Sequence, residues 1–345
     1  MYPKNILHKN NFTFLRLVAA VSVIISHSFD VVGKASFEPL SYFTNNKIEF
    51  SSFGLATFFF ISGYFITASA TNTNSVFKFC LKRIYRIYPA LIVLVLVSVF
   101  IAGPLLTILS IPQYFADKES WLYLFTATGL RIRMILPGVF STDAFNIKGF
   151  NASIWTIALE IELYISVAAA MWLGLLKRSF IYTVLTLLIS LICFGTMALK
   201  QGITFDMARH LNLIAIFYLG AFTYISAMQR SLVKAILLIS VLLFIIFTLL
   251  NLFGFNPIPF FLIAVCMVVY WFGFTDKIKI PLQTDISYGL YIYAFPMQQA
   301  IYMFTGIRNP YIMIVASILC TLPFAFASWY LIEKKFIGLK HTISN

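Results

Sequence analysis

Apolar stretches of about twenty residues follow one another along this chain from Phe12 onward, separated by short polar or basic connections. An α-helix needs about that length to cross the ~30 Å hydrocarbon core of a bilayer. The pattern predicts ten helical spans, at about 12–32, 52–70, 89–109, 153–175, 179–198, 210–228, 232–252, 257–274, 286–304 and 311–332. Proline punctuates several of them: Tyr88-Pro89 is expected to open the third and Asn256-Pro257 the eighth, and Asn309-Pro310 to precede the tenth. Residues 111–152 break the rhythm. Their core, WLYLFTATGLRIRMILPGVF, is too apolar and aromatic for a solvated linker. The segment reads as an interfacial or re-entrant piece, and Arg131, Arg133 and Pro137 count against an eleventh span at 121–139.

Composition turns this pattern into a class. Hydrophobic residues make up 61% of the 345 and charged residues 11%, where soluble domains carry about 25% charged. The expectation is an all-α, polytopic helix bundle forming one membrane domain over 1–345, without internal repeats. A net charge of +13 would suggest nucleic acid in a soluble protein. Here the basic residues flank apolar segments and read as topological anchors, so no nucleic-acid partner is expected and membrane lipids are. Placing the N-terminus in the cytoplasm puts sixteen of the 25 Lys and Arg residues inside, and an even number of spans returns the C-terminus to the same side. Cys80, Cys193, Cys266 and Cys320 are isolated, forming neither a disulfide framework nor a metal cluster. The basic-then-apolar N-terminus mimics a signal peptide, but Arg16 and His27 interrupt it, so it reads as an uncleaved span.

Ionisable groups at bilayer depth cost several kcal/mol and mark function. Arg16 and His27 lie eleven residues apart in the first span. That spacing puts both on one helix face, ~16 Å apart along the axis. Counted from predicted span ends, His27 and Glu160 share one depth, ~10 Å below the outer surface. Glu160 is therefore a candidate partner that orients the imidazole, with Tyr164 beside it at i+4. In KFCLKRIYRIYP, Arg83 and Arg86 share a helix face at the inner mouth. Paired guanidinium groups suit phosphate or pyrophosphate, and equally serve as a positive-inside anchor. Gly54, Ala56, Ser62 and Gly63 sit among aromatics in the second span and read as close-packing positions.

These motifs, in this order, resemble the membrane acyltransferase-3 family, integral membrane enzymes that O-acylate surface carbohydrates and some small molecules. Arg16 and His27 match its Arg-x10-His signature, and FFFISGYFI (58–66) its FF-x-x-SG element. Arg83 and Arg86 match its RxxR, NASIWTIALEIELY (151–164) the motif carrying the family glutamate at Glu160, SYGLYIYAFP (287–296) the late SYxxY element and WYLIEKKF (329–336) the terminal one. Ala294 stands where a late histidine is frequent, and Lys335 where proline is. The resemblance implies a bacterial inner-membrane protein taking acetyl-CoA as donor and a carbohydrate or lipid-linked glycan as acceptor. It assigns catalysis to His27 and Glu160 and donor binding to Arg16, Arg83 and Arg86, with no metal. His27 would act as general base or carry the acyl group. The chain ends soon after its last span, so no C-terminal extracytoplasmic domain is expected. A rival class, a transporter or flippase using intramembrane Arg, His and Glu, lacks the paired broken helices such carriers show.

Overall fold

The computed structural model describes residues 10–142, 145–199, 204–226, 239, 242, 245–246, 249, 258–275, 277–280 and 282–342. The longer helices among these are α1 (Phe12–Val31), α2 (Phe50–Thr71), α3 (Val76–Val97), α4 (Trp155–Trp172), α5 (Ser179–Leu199), α6 (Phe205–Ile225), α7 (Ile258–Phe274), α8 (Ser287–Thr305) and α9 (Pro310–Ala327). Extended pairing among the described residues amounts to one isolated bridge, Thr107 with Val139. A π-helical turn, Ser98–Ala102, carries α3 on to Leu106, and another, Ser328–Glu333, carries α9 on to Thr342. Among the described residues, five segments are long and apolar enough to cross a membrane: α1, α2, α4, and α3 and α9 with their continuations. The predicted span 232–252 lies almost wholly outside the described residues, as does Asn256-Pro257.

The third span differs from expectation. Pro89 does not open a helix; it sits inside α3, which begins thirteen residues earlier at Val76. The buried positions Phe79, Ile87, Leu91 and Leu94 explain why. Their helical spacing runs straight through the basic segment, so the apolar stripe starts before the proline. At α9 the reading from sequence is met: Pro310 occupies the first turn and the Asn309 side chain caps Tyr311 N–H and Ile312 N–H.

The chain forms two compact units. One comprises α1 up to Ala19, residues 52–76 and 166–285; the other comprises 20–51, 77–165 and the chain from Ile286. In the first, α5 packs on α6 and α6 on α7. α2 and α6 meet backbone to backbone. A Cβ at Gly63 would lie 1.9 Å from the Phe217 carbonyl oxygen, and one at Gly220 2.3 Å from that of Phe60. Phe12 is ringed by Phe65 and Phe274, both with centroids at 4.9 Å. Asn11 ties the chain beyond α7 to the start of α1, donating to Phe272 O (2.8 Å) and Ile278 O (2.7 Å) and accepting from Ile280 N–H (2.9 Å).

In the second unit α8 packs on α9, and residues 111–152 double back along α3. The Tyr114 hydroxyl donates to Val99 O at 3.1 Å, and the Tyr88 hydroxyl donates to Thr128 O at 2.8 Å. Between those contacts the segment travels the length of eleven α3 residues, ~16 Å. It then returns to the end of α3's continuation, where Thr107 Oγ1 donates to Pro137 O (2.8 Å) and Ile108 N–H to Gly138 O (3.1 Å).

Gly63→Ala should cost about 1–3 kcal/mol, because its methyl group meets backbone rather than a movable side chain. The thermal midpoint in detergent should fall, whereas Gly195→Ala in α5, where an added Cβ meets nothing within 4 Å, should not lower it.

Candidate active site

Pro296 lies inside α8, so the carbonyl of Ile292 four residues earlier has no helical N–H to accept from. Asn151 supplies the missing donor: its Nδ2 reaches Ile292 O at 2.9 Å, in a buried position. One residue back along α8, the Tyr291 hydroxyl shares a 2.7 Å hydrogen bond with Thr156 Oγ1. Glu160 lies within electrostatic reach of Tyr288. As the chain advances from 151 into α4 at 160, its partners on α8 recede from 292 to 288. The two helices are antiparallel, with Glu160 at the level of Tyr288.

At that level α3 brings two cations. Arg83 occupies the stripe position between Phe79 and Ile87, its guanidinium carbon 5.8 Å from the ring centroids of both Phe79 and Tyr164. Tyr164 donates its hydroxyl to Glu160, which is also within electrostatic reach of Arg83. Arg86 lies over the Tyr288 ring, 5.7 Å from its centroid, and pairs at 3.3 Å with Glu333, whose side chain is 1% exposed. Ser328 Oγ donates to the other Glu333 oxygen at 2.9 Å. Two guanidinium groups, two carboxylates and two phenols thus assemble in a nearly charge-balanced cluster. Aromatic faces cover the guanidinium planes, an arrangement suited to arginine rather than lysine.

His27 stands at the other end of the same α8 face. Its ring meets Phe295 edge-on with centroids at 5.1 Å. Phe295 follows Tyr288 by seven residues, two turns or ~10 Å along α8. His27 Nδ1 lies 3.1 Å from Asp30 Oδ2, one helical turn away, with side chains 17% and 22% exposed. With Nδ1–H donated to the carboxylate, Nε2 carries the lone pair. That is the chemistry of a general base with its tautomer fixed by an anion.

The candidate residues are therefore redistributed. His27 finds its carboxylate in Asp30, not in Glu160, and Glu160 joins the arginines. Depth counted from span ends failed because the ends are not level. Asn146 Nδ2 reaches Val31 O at the end of α1 (2.7 Å), and the chain then descends to Asn151 before α4 begins. Arg16 belongs to the first unit, where its Nη2 is 3.0 Å from Asp285 Oδ2 and 3.4 Å from Thr13 Oγ1. Asp30, Asp285, Tyr288 and Glu333 received no role from the sequence. For Asp30 a signal was present, since His-x-x-Asp in a helix puts both on one face.

A family described as an acyltransferase domain matches residues 9–332 of the chain. The protein belongs to the acyltransferase-3 family. An O-acetyl transferase of Shigella phage Sf6 is 27% identical over 346 residues, covering 96% of this chain and 97% of that protein. Nodulation protein 10 of Rhizobium leguminosarum bv. viciae is 32% identical over 168 residues, 46% of this chain and 43% of its own. No solved structure matches. As a member of this family the protein is an acyltransferase, built around several apolar helices of membrane-crossing length.

Glu333→Gln would leave the half-buried Arg86 without its carboxylate, and should destabilise the protein by about 3 kcal/mol. Replacing Arg86 and Glu333 together by leucine should restore much of that loss. Thermal unfolding in detergent compares the three proteins, and a double variant no more stable than Glu333→Gln would contradict the pairing.

Proposed function

We propose that the protein is a ten-span O-acetyltransferase of the bacterial inner membrane, with both termini cytoplasmic. In this reading it moves an acetyl group from cytoplasmic acetyl-CoA to a hydroxyl of a surface polysaccharide or its lipid-linked precursor. The observation that carries the reading is the His27–Asp30 pair, in a chain similar along nearly its whole length to an O-acetyl transferase.

His27 Nε2 takes the proton of the acceptor hydroxyl as its oxygen bonds to the thioester carbonyl carbon. The carbonyl re-forms as the carbon–sulfur bond breaks, and the CoA thiolate leaves and recovers the proton from the imidazolium. Asp30 keeps Nδ1 protonated and offsets the imidazolium charge. Arg83 and Arg86 supply the positive charge for the CoA phosphates. Glu160 acts through Tyr164 and Arg83, holding the guanidinium rather than the imidazole.

Membranes bearing each variant, given radiolabelled acetyl-CoA and the host's lipid-linked glycan extract, test the assignment. His27→Ala should lower transfer by about 10²–10⁴-fold at unchanged protein level. Gln at position 27 should not rescue it, and Asp30→Asn should lose less. Arg83→Ala should raise the KM for acetyl-CoA, and Arg83→Lys should recover only part of the affinity. Substantial transfer by a well-expressed His27→Ala protein would overturn the mechanism. Solute uptake without CoA release would overturn the reaction class.

A further inference from the structure

The last turns of α1 are gripped from two sides. On the helical wheel Ser26 stands 100° to one side of His27 and Ser28 100° to the other. On the Ser28 side, Gln298 Nε2 donates to Ile24 O at 2.9 Å and to Ser28 Oγ at 2.8 Å, fixing α1 to α8. On the Ser26 side the grip comes from Glu38, in the connection between α1 and α2. Ser26 Oγ donates to Glu38 Oε1 at 2.6 Å and accepts from Ser51 N–H at 2.6 Å. The same Oε1 accepts from Phe50 N–H at 2.7 Å, while Oε2 accepts from Ser41 N–H at 3.1 Å.

Phe50 and Ser51 open α2, so their N–H groups have no partner within that helix. One carboxylate and one hydroxyl satisfy both, and in doing so join the start of α2 to the turn of α1 that carries His27. Glu38 is 1% exposed and Ser26 2% exposed. Burial pushes the Glu38 carboxyl above the ordinary carboxylate range and the Glu49 charge adds to that, while donors from Ser26, Phe50 and Ser41 pull it down. A buried carboxylate is a weak source of stability by itself, and three converging donors fix its geometry.

We infer that Glu38 is a positioning residue for His27: through Ser26 it sets the rotation of the last turn of α1, and with it the direction of the imidazole. Gln298 on the opposite flank completes the clamp. The inference rests on His27 being the base, as proposed above. Misdirection of a reacting group by about 1 Å lowers rates by up to about 10²-fold, so releasing one of two clamps should cost about tenfold.

Single-turnover transfer separates positioning from folding. Enzyme in excess over radiolabelled acetyl-CoA, in liposomes carrying the host's lipid-linked glycan extract, gives a rate constant and an amplitude. With acetyl-CoA limiting, the amplitude is set by the substrate; the rate constant at saturating enzyme reports the geometry of the bound complex, and size-exclusion profiles in detergent report the folded fraction. Glu38→Gln, which sets an amide NH₂ against a backbone donor, should lower the rate constant about tenfold and leave the KM for acetyl-CoA unchanged. Ser26→Ala, which removes the link and leaves Glu38 on Ser41 and Phe50, should lower it in the same sense by less. Ser26→Ala decides the question if the Glu38→Gln protein does not accumulate. Rate constants within twofold of the unmodified enzyme, whatever the folded fraction, would reduce Glu38 to a helix cap. His27→Ala runs alongside: if it transfers acetyl, the function proposed above fails. If it is inactive and the Glu38 and Ser26 variants keep their rate constants, only this inference fails.

Discussion

A charge carried into an apolar helix has to meet its counter-group inside the protein, because hydrocarbon offers none. Much of the local architecture can be traced to that requirement. Arg16 is answered by Asp285, Arg86 by Glu333 and His27 by Asp30. Arg83 is flanked by Phe79 and Tyr164, with Glu160 in electrostatic reach. The Arg16 and Arg86 pairings tie their helices to distant parts of the chain, while His27–Asp30, inside α1, fixes the imidazole itself. Stability and site construction are here the same set of contacts.

α8 organises the second unit. Its internal proline leaves one carbonyl unserved, and that defect becomes an attachment point, since Asn151 can satisfy it only from one position. The start of α4 is thereby set against α8, and the face of α8 is divided between Tyr288 at the arginine cluster and Phe295 at the imidazole. Gln299 extends the same fastening, donating to Ile147 O at 2.6 Å and so holding the chain that leads into Asn151. The end of α1, the approach to α4 and the middle of α8 are thus fastened together by side-chain amides that donate to backbone carbonyls.

Hydropathy alone located α1 to within a residue of its ends, and α4 and α8 to within three, because burial in lipid or protein demands continuous apolar surface whatever the partners. It also marked Gly63 as a packing position, though not that the Phe217 carbonyl was what it packs on. The start of α3 is hidden because proline reads as a first-turn residue, while the stripe through Phe79 carries the helix before it. The chemistry was half legible. Arg83, Arg86, Glu160 and His27 stood out as charges in apolar surroundings, but their partners depend on the relative depth of helix ends. That depth is decided by the descent from Asn146 to Asn151, which has no periodic signature.

The Arg86–Glu333 pair joins residues 247 positions apart. A chain threaded into the membrane from its N-terminus therefore presents Arg86 long before its carboxylate has been synthesised, and Asn151 waits 141 residues for the Ile292 carbonyl. In the interval the basic turn of α3 has to stay near the headgroups, where its cations are solvated, and settle inward only when the last helix arrives. Biogenesis then runs in two stages, helices first and cluster afterwards. The insertion machinery meets the cation of this helix before its counter-charge exists.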